Sequence, residues 1–360
     1  MKKPKYVSIK KLTDRDDLQY IILLGQRSNG KSYAVKQHVL THFWKTGKRF
    51  VYLRRYQMEV KASDVEAYFR DAPVEAITGG EYRIVSTYRG GIFLSNMDDN
   101  GKVIRGKQVG YIAYLSNEVH FKSQNFNDVD NIIYEEFITD QGYLYREPEK
   151  LESIISTIAR KRQVKVWLIG NTISRLCPYF NEWGLAKGIP RQKQGTIEVY
   201  EHMTDQVYEE TGDPVVIKIA VYFCEETANT SKMFFGTSAG MITKGVWQTR
   251  SYPHLPYHYR DCSKLYELLF KHLEFTFKVE AIKSPEGEYL VFIHPHSEDD
   301  YKGRIVSDQP AADPRITRKL DPIRKGDKLI RWCFDMGKVF YSDNLTGADW
   351  EACVDDGSFL

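Results

Sequence analysis

One eight-residue stretch constrains this chain more than anything else in it. Gly25-Gln26-Arg27-Ser28-Asn29-Gly30-Lys31-Ser32 matches G-x-x-x-x-G-K-[ST] at every fixed position. Such a loop needs a buried strand to deliver it and a helix to leave it, and the sequence supplies both. Tyr20-Ile-Ile-Leu-Leu24 is the continuous apolar run of a strand covered on both faces. Lys31 to about Trp44 has the spacing of a helix with one apolar side. The glycines let backbone N–H groups close around phosphates, and the helix N-terminus adds positive potential. In that setting Lys31 reaches the β- and γ-phosphates and Ser32 offers a hydroxyl to Mg²⁺. The cofactors expected are therefore ATP and Mg²⁺.

The rest of residues 1–200 continues the same rhythm. Phe50-Val-Tyr-Leu53, Val109–Leu115, Asn131-Ile-Ile-Tyr134 and Val164–Ile169 are further buried-strand candidates. Helix candidates lie between them, at about 62–70 and at 149–160. Alternating strands and helices predict an α/β domain on a mostly parallel sheet, with a hairpin at 81–95 turning at Gly90-Gly91. Residues 201–255 are polar and mixed and read as a linker or small intermediate domain. From 256 onward the pattern predicts a second, α+β domain. It has a helix at 263–272, strands at 275–279 and 289–293 joined by a Ser284-Pro-Glu-Gly287 turn, a helix at 327–336 and a strand at 338–342.

A phosphate-binding loop that hydrolyses ATP also needs acids at the end of a neighbouring strand. Asn131-Ile-Ile-Tyr-Glu135-Glu136 supplies them: Glu135 on the metal side, Glu136 to orient or activate the attacking water. The metal-side acid is usually Asp, so Glu135 departs from the common pattern. Arg160, followed by Lys161 and Arg162, reads either as charge complementing a helix end or as a finger given to a neighbouring subunit. Lys122 and Arg54-Arg55 are equally open. Asn171, beside Thr172, reads as a γ-phosphate sensor or as a turn cap. The pairs His254/His258 and His294/His296 have no third ligand at convincing spacing.

Charge is the other informative quantity. Residues 1–200 carry 32 Lys+Arg against 22 Asp+Glu, and the rest carry 19 against 26, so the overall +3 hides a basic half suited to a polyanion. Residues 302–331 hold nine Lys/Arg against four Asp, a candidate nucleic-acid or partner surface whose default reading is a solvated face. No apolar run approaches the ~18 residues of a membrane helix, and no apolar core follows the basic N-terminus as a secretory leader would require. The five scattered cysteines read as reduced thiols.

These motifs in register resemble the genome-packaging ATPases of small protein-primed tailed phages, within the ASCE class of P-loop proteins. The resemblance runs through Gly25–Ser32, Phe50–Tyr56, Ile132–Phe137, Thr157–Arg162 and Gly170–Phe180, and it fades beyond residue 200. It implies a homo-oligomeric ring, usually a pentamer, at the portal of an empty capsid, driving double-stranded DNA inward with ATP. The implied setting is the host cytoplasm, with transient residence at the portal vertex of the procapsid. Gly25 through Ser32, Glu135 and Asn171 would bind the nucleotide, with Ser32 and Glu135 on Mg²⁺. Glu136 would be catalytic, Arg160 would match the trans-acting finger, and Lys122 a second basic residue acting across the subunit boundary. The implied partners are DNA, the portal (connector) protein and a packaging RNA. The implied C-terminal domain is RNase H-like, a nuclease without its metal-binding carboxylates. Residues 256–360 show no compelling acidic triad, although Asp299, Asp300 and Asp335 are what a live nuclease would draw on. The competing readings are a helicase or conjugative-type DNA pump, and a nucleotide-gated scaffold without essential turnover.

Overall fold

In the computed structural model, described residues are 6–359 except 60, 122–125, 140–141, 161, 208–210, 228–246, 248–249, 274, 298–300, 308–312 and 357–358. The chain forms two compact units. The first takes in the residues up to Ser174 and the stretch that begins at Arg191, and the second takes in Arg175–Pro190 and the C-terminal part from Gln248.

The first unit is built on a nine-stranded sheet. Its strands are β1 (Tyr20–Gly25), β2 (Arg49–Arg54), β3 (Ile84–Tyr88), β4 (Gly91–Met97), β5 (Val103–Tyr114), β6 (Val129–Glu135), β7 (Lys165–Asn171), β8 (Ile197–Val207) and β9 (Pro214–Phe223). The order is β3-β4-β5-β2-β6-β7-β1-β9-β8. The strands from β5 to β9 in that order are mutually parallel, and the two hairpins at the edges are antiparallel. β7 lies between β1 and β6, the inserted strand that an ASCE arrangement requires. Ile21 through Leu24 on β1 and Ile132 through Tyr134 on β6 are fully buried, because a central parallel strand has no solvent face.

Helices α1 (Lys10–Thr13), α2 (Lys31–Thr46), α3 (Ala62–Phe69), α4 (Val74–Thr78) and α5 (Glu147–Ala159) belong to this unit. On α2, Val35, Val39, Leu40 and Phe43 make the buried stripe. Gly47 ends the helix in the left-handed region (φ 74°), where its N–H reaches the Phe43 carbonyl at 2.7 Å. The expected hairpin turns at Gly90, and the expected helices at 62–70 and 149–160 are α3 and α5.

The expected linker at 201–255 is corrected at its start. β8 and β9 form a hairpin that adds to the first sheet beside β1, from Tyr20 opposite Ile219 to Leu24 opposite Phe223. The boundary at residue 200 therefore falls inside a strand. The apolar run Val215–Phe223 supplies a buried partner for β1 and overrides the polar composition around it.

The second unit contains α6 (Pro178–Glu182), a six-stranded sheet, α7 (Lys325–Asp335) and α8 (Asn344–Asp356). The strands are β10 (Ser263–His272), β11 (Phe275–Lys283), β12 (Tyr289–Pro295), β13 (Ile305–Ser307), β14 (Ile316–Thr317) and β15 (Val339–Tyr341). The first three form an antiparallel meander. β13 then adds parallel to β10, β14 to β13 and β15 to β12. Apart from the added edge strand β15, the order is 3-2-1-4-5, as an RNase H-like sheet requires. Phe270, Phe277, Phe334, Trp350 and Phe359 interlock in its core, with ring centroids 4.9–6.5 Å apart.

The helix expected at 263–272 is strand β10. Leu265, Leu268 and Leu269 have helical spacing, but the segment pairs with β11 along its length and with β13 on its other edge. Tertiary pairing outweighs the local pattern in so short an apolar run. Helix α8 was not expected. Its start is nevertheless written in the sequence, since Asp343 Oδ1 accepts the Thr346 N–H at 2.8 Å as an N-cap.

Candidate functional site

Four neighbouring parallel strands end at one edge of the first sheet: β2 in Arg54, β6 in Glu135, β7 in Asn171 and β1 in Gly25. Register puts Gly25 opposite Asn171 and Glu135 opposite Ile169, so motifs more than a hundred residues apart converge there. The carboxyl edge of a parallel sheet is where such folds bind ligands.

The loop between β1 and α2 turns through Gly25 (φ 148°), Ser28 (φ 58°) and Gly30 (φ 92°). Glycine is needed at both ends. A Cβ on Gly25 would lie 3.2 Å from Cys224 Cβ, and one on Gly30 3.1 Å from the Tyr6 ring. The loop closes around Lys31. Its Nζ donates to the Gln26 carbonyl at 2.6 Å, the Gly25 carbonyl and Asn29 Oδ1 at 3.2 Å, and Asn171 Oδ1 at 3.4 Å. All four acceptors are neutral, and no carboxylate pairs with Lys31 among the described residues. Burial brings the Lys31 ammonium down to about 8.

A cavity of about 650 Å³ opens over this loop, lined also by Tyr6, Tyr33, Lys36, Asp71, Glu135, Glu136 and Asn171. Its volume suits a nucleotide-sized ligand. Asn29 Nδ2 is buried with no partner among the described residues, a donor suited to an anionic oxygen. An unpaired ammonium, an orphan donor and a helix N-terminus together suit a polyphosphate.

Ser32, Glu135 and Tyr68 are joined by hydrogen bonds. The Ser32 hydroxyl donates to Glu135 Oε1 at 2.7 Å, and the Tyr68 hydroxyl donates to Oε2 at 2.9 Å. Burial raises the Glu135 carboxyl above its ordinary range, and these two hydrogen bonds oppose the rise. Ser32 and Glu135 thus present hard oxygen donors, the set Mg²⁺ takes beside phosphates.

Glu136 sits differently. It is exposed, has φ 57°, and is paired with Arg54 at 2.6 Å. Its backbone is held firmly: its N–H reaches the Ile169 carbonyl at 2.9 Å, and Arg55 donates to the Glu136 and Phe137 carbonyls at 3.2 and 2.7 Å. Arg55 is in turn fixed by buried Glu147 at 2.8 Å, which also accepts from the Tyr134 hydroxyl and the Leu144 N–H. A smaller cavity of about 160 Å³ beside Arg54, Glu136 and Asn171 leaves room for water.

A family model described as podovirus DNA encapsidation protein (Gp16) matches residues 1–211. The chain belongs to this family. It is 30% identical over 189 residues to the DNA packaging protein of Bacillus phage B103, a match covering 51% of this chain and 53% of that one. It is 26% identical over 249 residues to the DNA packaging protein of Bacillus phage phi29, covering 62% and 70%. The matched stretch thus spans about half the length of the first relative. A chain of the bacteriophage Phi-29 viral genome packaging motor assembly shares the fold over 97% of this chain and 98% of its own, with TM-score 0.54 and 18% identity.

The fold brings together every loop residue singled out in the sequence, from Gly25 to Ser32, with Glu135, Glu136 and Asn171. Gln26 is the most withdrawn of them: it is buried and donates to Thr227 at 3.0 Å. Arg160 does not join them. It is exposed just beyond α5, its N–H on the Ser156 carbonyl at 3.0 Å, and it does not line the cavity. Lys122 lies outside the described residues, as do Asp299 and Asp300. No metal-binding group of three or more His, Cys, Asp or Glu side chains occurs among the described residues. Tyr6, Lys36, Tyr68 and the Arg55–Glu147 pair were not legible as site residues. Arg54-Arg55 was visible only as an ambiguous basic pair, and the others belong to no motif.

Proposed function

We propose that this chain is the ATP-hydrolysing subunit of a motor that drives double-stranded DNA into an empty capsid. The observation that carries the reading is the buried, carboxylate-free Lys31 facing the hydrogen-bonded Ser32–Glu135 pair, in a chain of the Gp16 family. The residues from Gly25 to Ser32 cradle the triphosphate, and Lys31 neutralises its distal charge. Mg²⁺, when bound beside Ser32 and Glu135, offsets charge developing on the transferred phosphoryl group. Glu136 accepts the proton of the attacking water once it leaves Arg54, and Asn171 monitors the distal phosphate through the contact it now makes to Lys31.

The exposed position of Arg160, away from its own subunit's cavity, suits a finger that acts on a neighbour's nucleotide. That role requires a ring, with a pentamer the size the family resemblance implies, and Lys122 would act across the same boundary. The portal protein and a packaging RNA are the proposed docking partners at the procapsid. No helix among the described residues is long and apolar enough to cross a membrane.

Hydrolysis measured with double-stranded DNA, single-stranded DNA and neither tests the function. Stimulation by the duplex, abolished by Lys31→Ala, is the expected result. Preference for single strands points to a helicase-type motor instead, and indifference to both defeats the motor reading. For Arg160, rings mixed from Arg160→Ala and Glu136→Gln subunits regain activity when the finger works in trans.

A further inference from the structure

Tyr68 belongs to no motif, yet its hydroxyl touches the carboxylate assigned to the metal side. One oxygen of Glu135 accepts from Ser32 at 2.7 Å and the other from Tyr68 at 2.9 Å, so both are claimed by side chains of different helices. Tyr68 is itself held on several sides. Its ring lies 4.8 Å from that of Tyr52 on β2, and Lys36 of the loop's own helix sits 4.5 Å over it. Lys36 Nζ also donates to the Tyr68 carbonyl at 2.6 Å and pairs with Asp71. The hydroxyl is thereby aimed by β2 and α2 together.

The arrangement answers the one departure from pattern in the sequence. Glutamate carries one methylene more than the usual aspartate and one more rotatable bond, so its carboxylate needs fixing if it is to serve a metal. We propose that Tyr68 is a positioning residue for Mg²⁺: by holding Oε2 of Glu135 it keeps Oε1 on the Ser32 hydroxyl, where the ion's shell is received. Its role is defined by the glutamate, and it contributes to Mg²⁺ binding rather than to nucleotide binding as such. This inference rests on the nucleotide-site reading above.

The test uses the full chain and a fluorescent ATP analogue, bound in EDTA and across a Mg²⁺ titration. Tyr68→Phe keeps the ring and its packing and removes only the donor. The expected result is a Mg²⁺ half-saturation roughly tenfold higher, as re-ordering one glutamate side chain on the ion implies, with affinity in EDTA unchanged and the melting temperature lowered only by the lost hydrogen bond. Glu135→Asp, which withdraws the carboxylate from Tyr68, should reproduce the loss without touching the tyrosine, and adding Tyr68→Phe to it should do nothing more. An unchanged Mg²⁺ requirement in Tyr68→Phe overturns the proposal. So does equal weakening in EDTA, or additive effects in the double variant. Failure of the unaltered chain to bind the analogue in either buffer overturns the nucleotide reading itself, a result distinct from all of these.

Discussion

The backbone that presents Glu136 depends on a buried ion pair, and breaking it gives the sharpest test of how the site is built. Arg55 is 9% exposed and Glu147 fully buried at the side chain. Arg55→Met removes the cation but leaves the carboxylate, the Tyr134 hydroxyl and the Leu144 N–H in place. Stranding one member of a buried pair costs about 3–5 kcal/mol. The donors that remain, the Tyr134 hydroxyl and the Leu144 N–H among them, put this case near the lower end, about 3 kcal/mol. At about 2–4 °C per kcal/mol for a unit of this size, the melting transition of the first unit should fall by about 6–12 °C. Adding Glu147→Gln removes the stranded charge and keeps an acceptor for Tyr134, so the double variant should melt above Arg55→Met alone. Hydrolysis should stay low in both, because the Glu136 and Phe137 carbonyls have lost their donors. Calorimetry supplies the transitions and a phosphate-release assay the activity. A double variant no more stable than the single one, or a single variant within about 1 kcal/mol of the parent, would refute the argument that an unpaired buried charge sets the cost.

Arg54→Ala should barely change stability, since the Arg54–Glu136 pair is partly exposed and such pairs contribute about 1 kcal/mol or less. It should raise DNA-independent hydrolysis by freeing Glu136; a fall would mean that Arg54 serves the reaction itself. Gly30→Ala forces a Cβ onto a φ of 92° against the Tyr6 ring, and nucleotide affinity measured by titration should drop while the second unit's melting is untouched. In the second unit, burial alone would raise the Glu280 carboxyl, but the His294 imidazole and Tyr259 hydroxyl beside it bring it down to about 2. A carboxylate depressed by folding stabilises at pH values above its unfolded pKa, and that contribution fades as pH falls from about 4.5 toward 2. Denaturation across that range should therefore be less steep in Glu280→Gln, and identical slopes would sink the assignment.

What the sequence could show at this site was whatever is decided locally. A glycine-rich loop declares itself because its backbone must adopt left-handed angles at Gly25 and Gly30 and its lysine must follow at once. The Glu135-Glu136 pair declares itself because the apolar run Ile132–Tyr134 delivers two adjacent acids about a hundred residues after a phosphate-binding loop. Tyr68 and Glu147 carry no such mark. Each is one tyrosine or glutamate among many, and its significance arises only when β2, α2 and β6 close around it. The same contrast explains the fold. Helix α2 was legible because its apolar stripe and its terminal glycine are both local, whereas β10 was misread because its leucines satisfy a helix and a strand equally until β11 and β13 arrive on either edge. β9 was hidden for a related reason: its apolar run follows a polar, turn-rich stretch, and only its pairing with β1 shows that it carries the sheet past the loop. That pairing has a consequence for the site, since the chain leaving β9 brings Cys224 to within 3.2 Å of where a Cβ on Gly25 would stand. The first glycine of the motif is thus required by the packing of a distant strand as well as by the phosphate it is expected to meet.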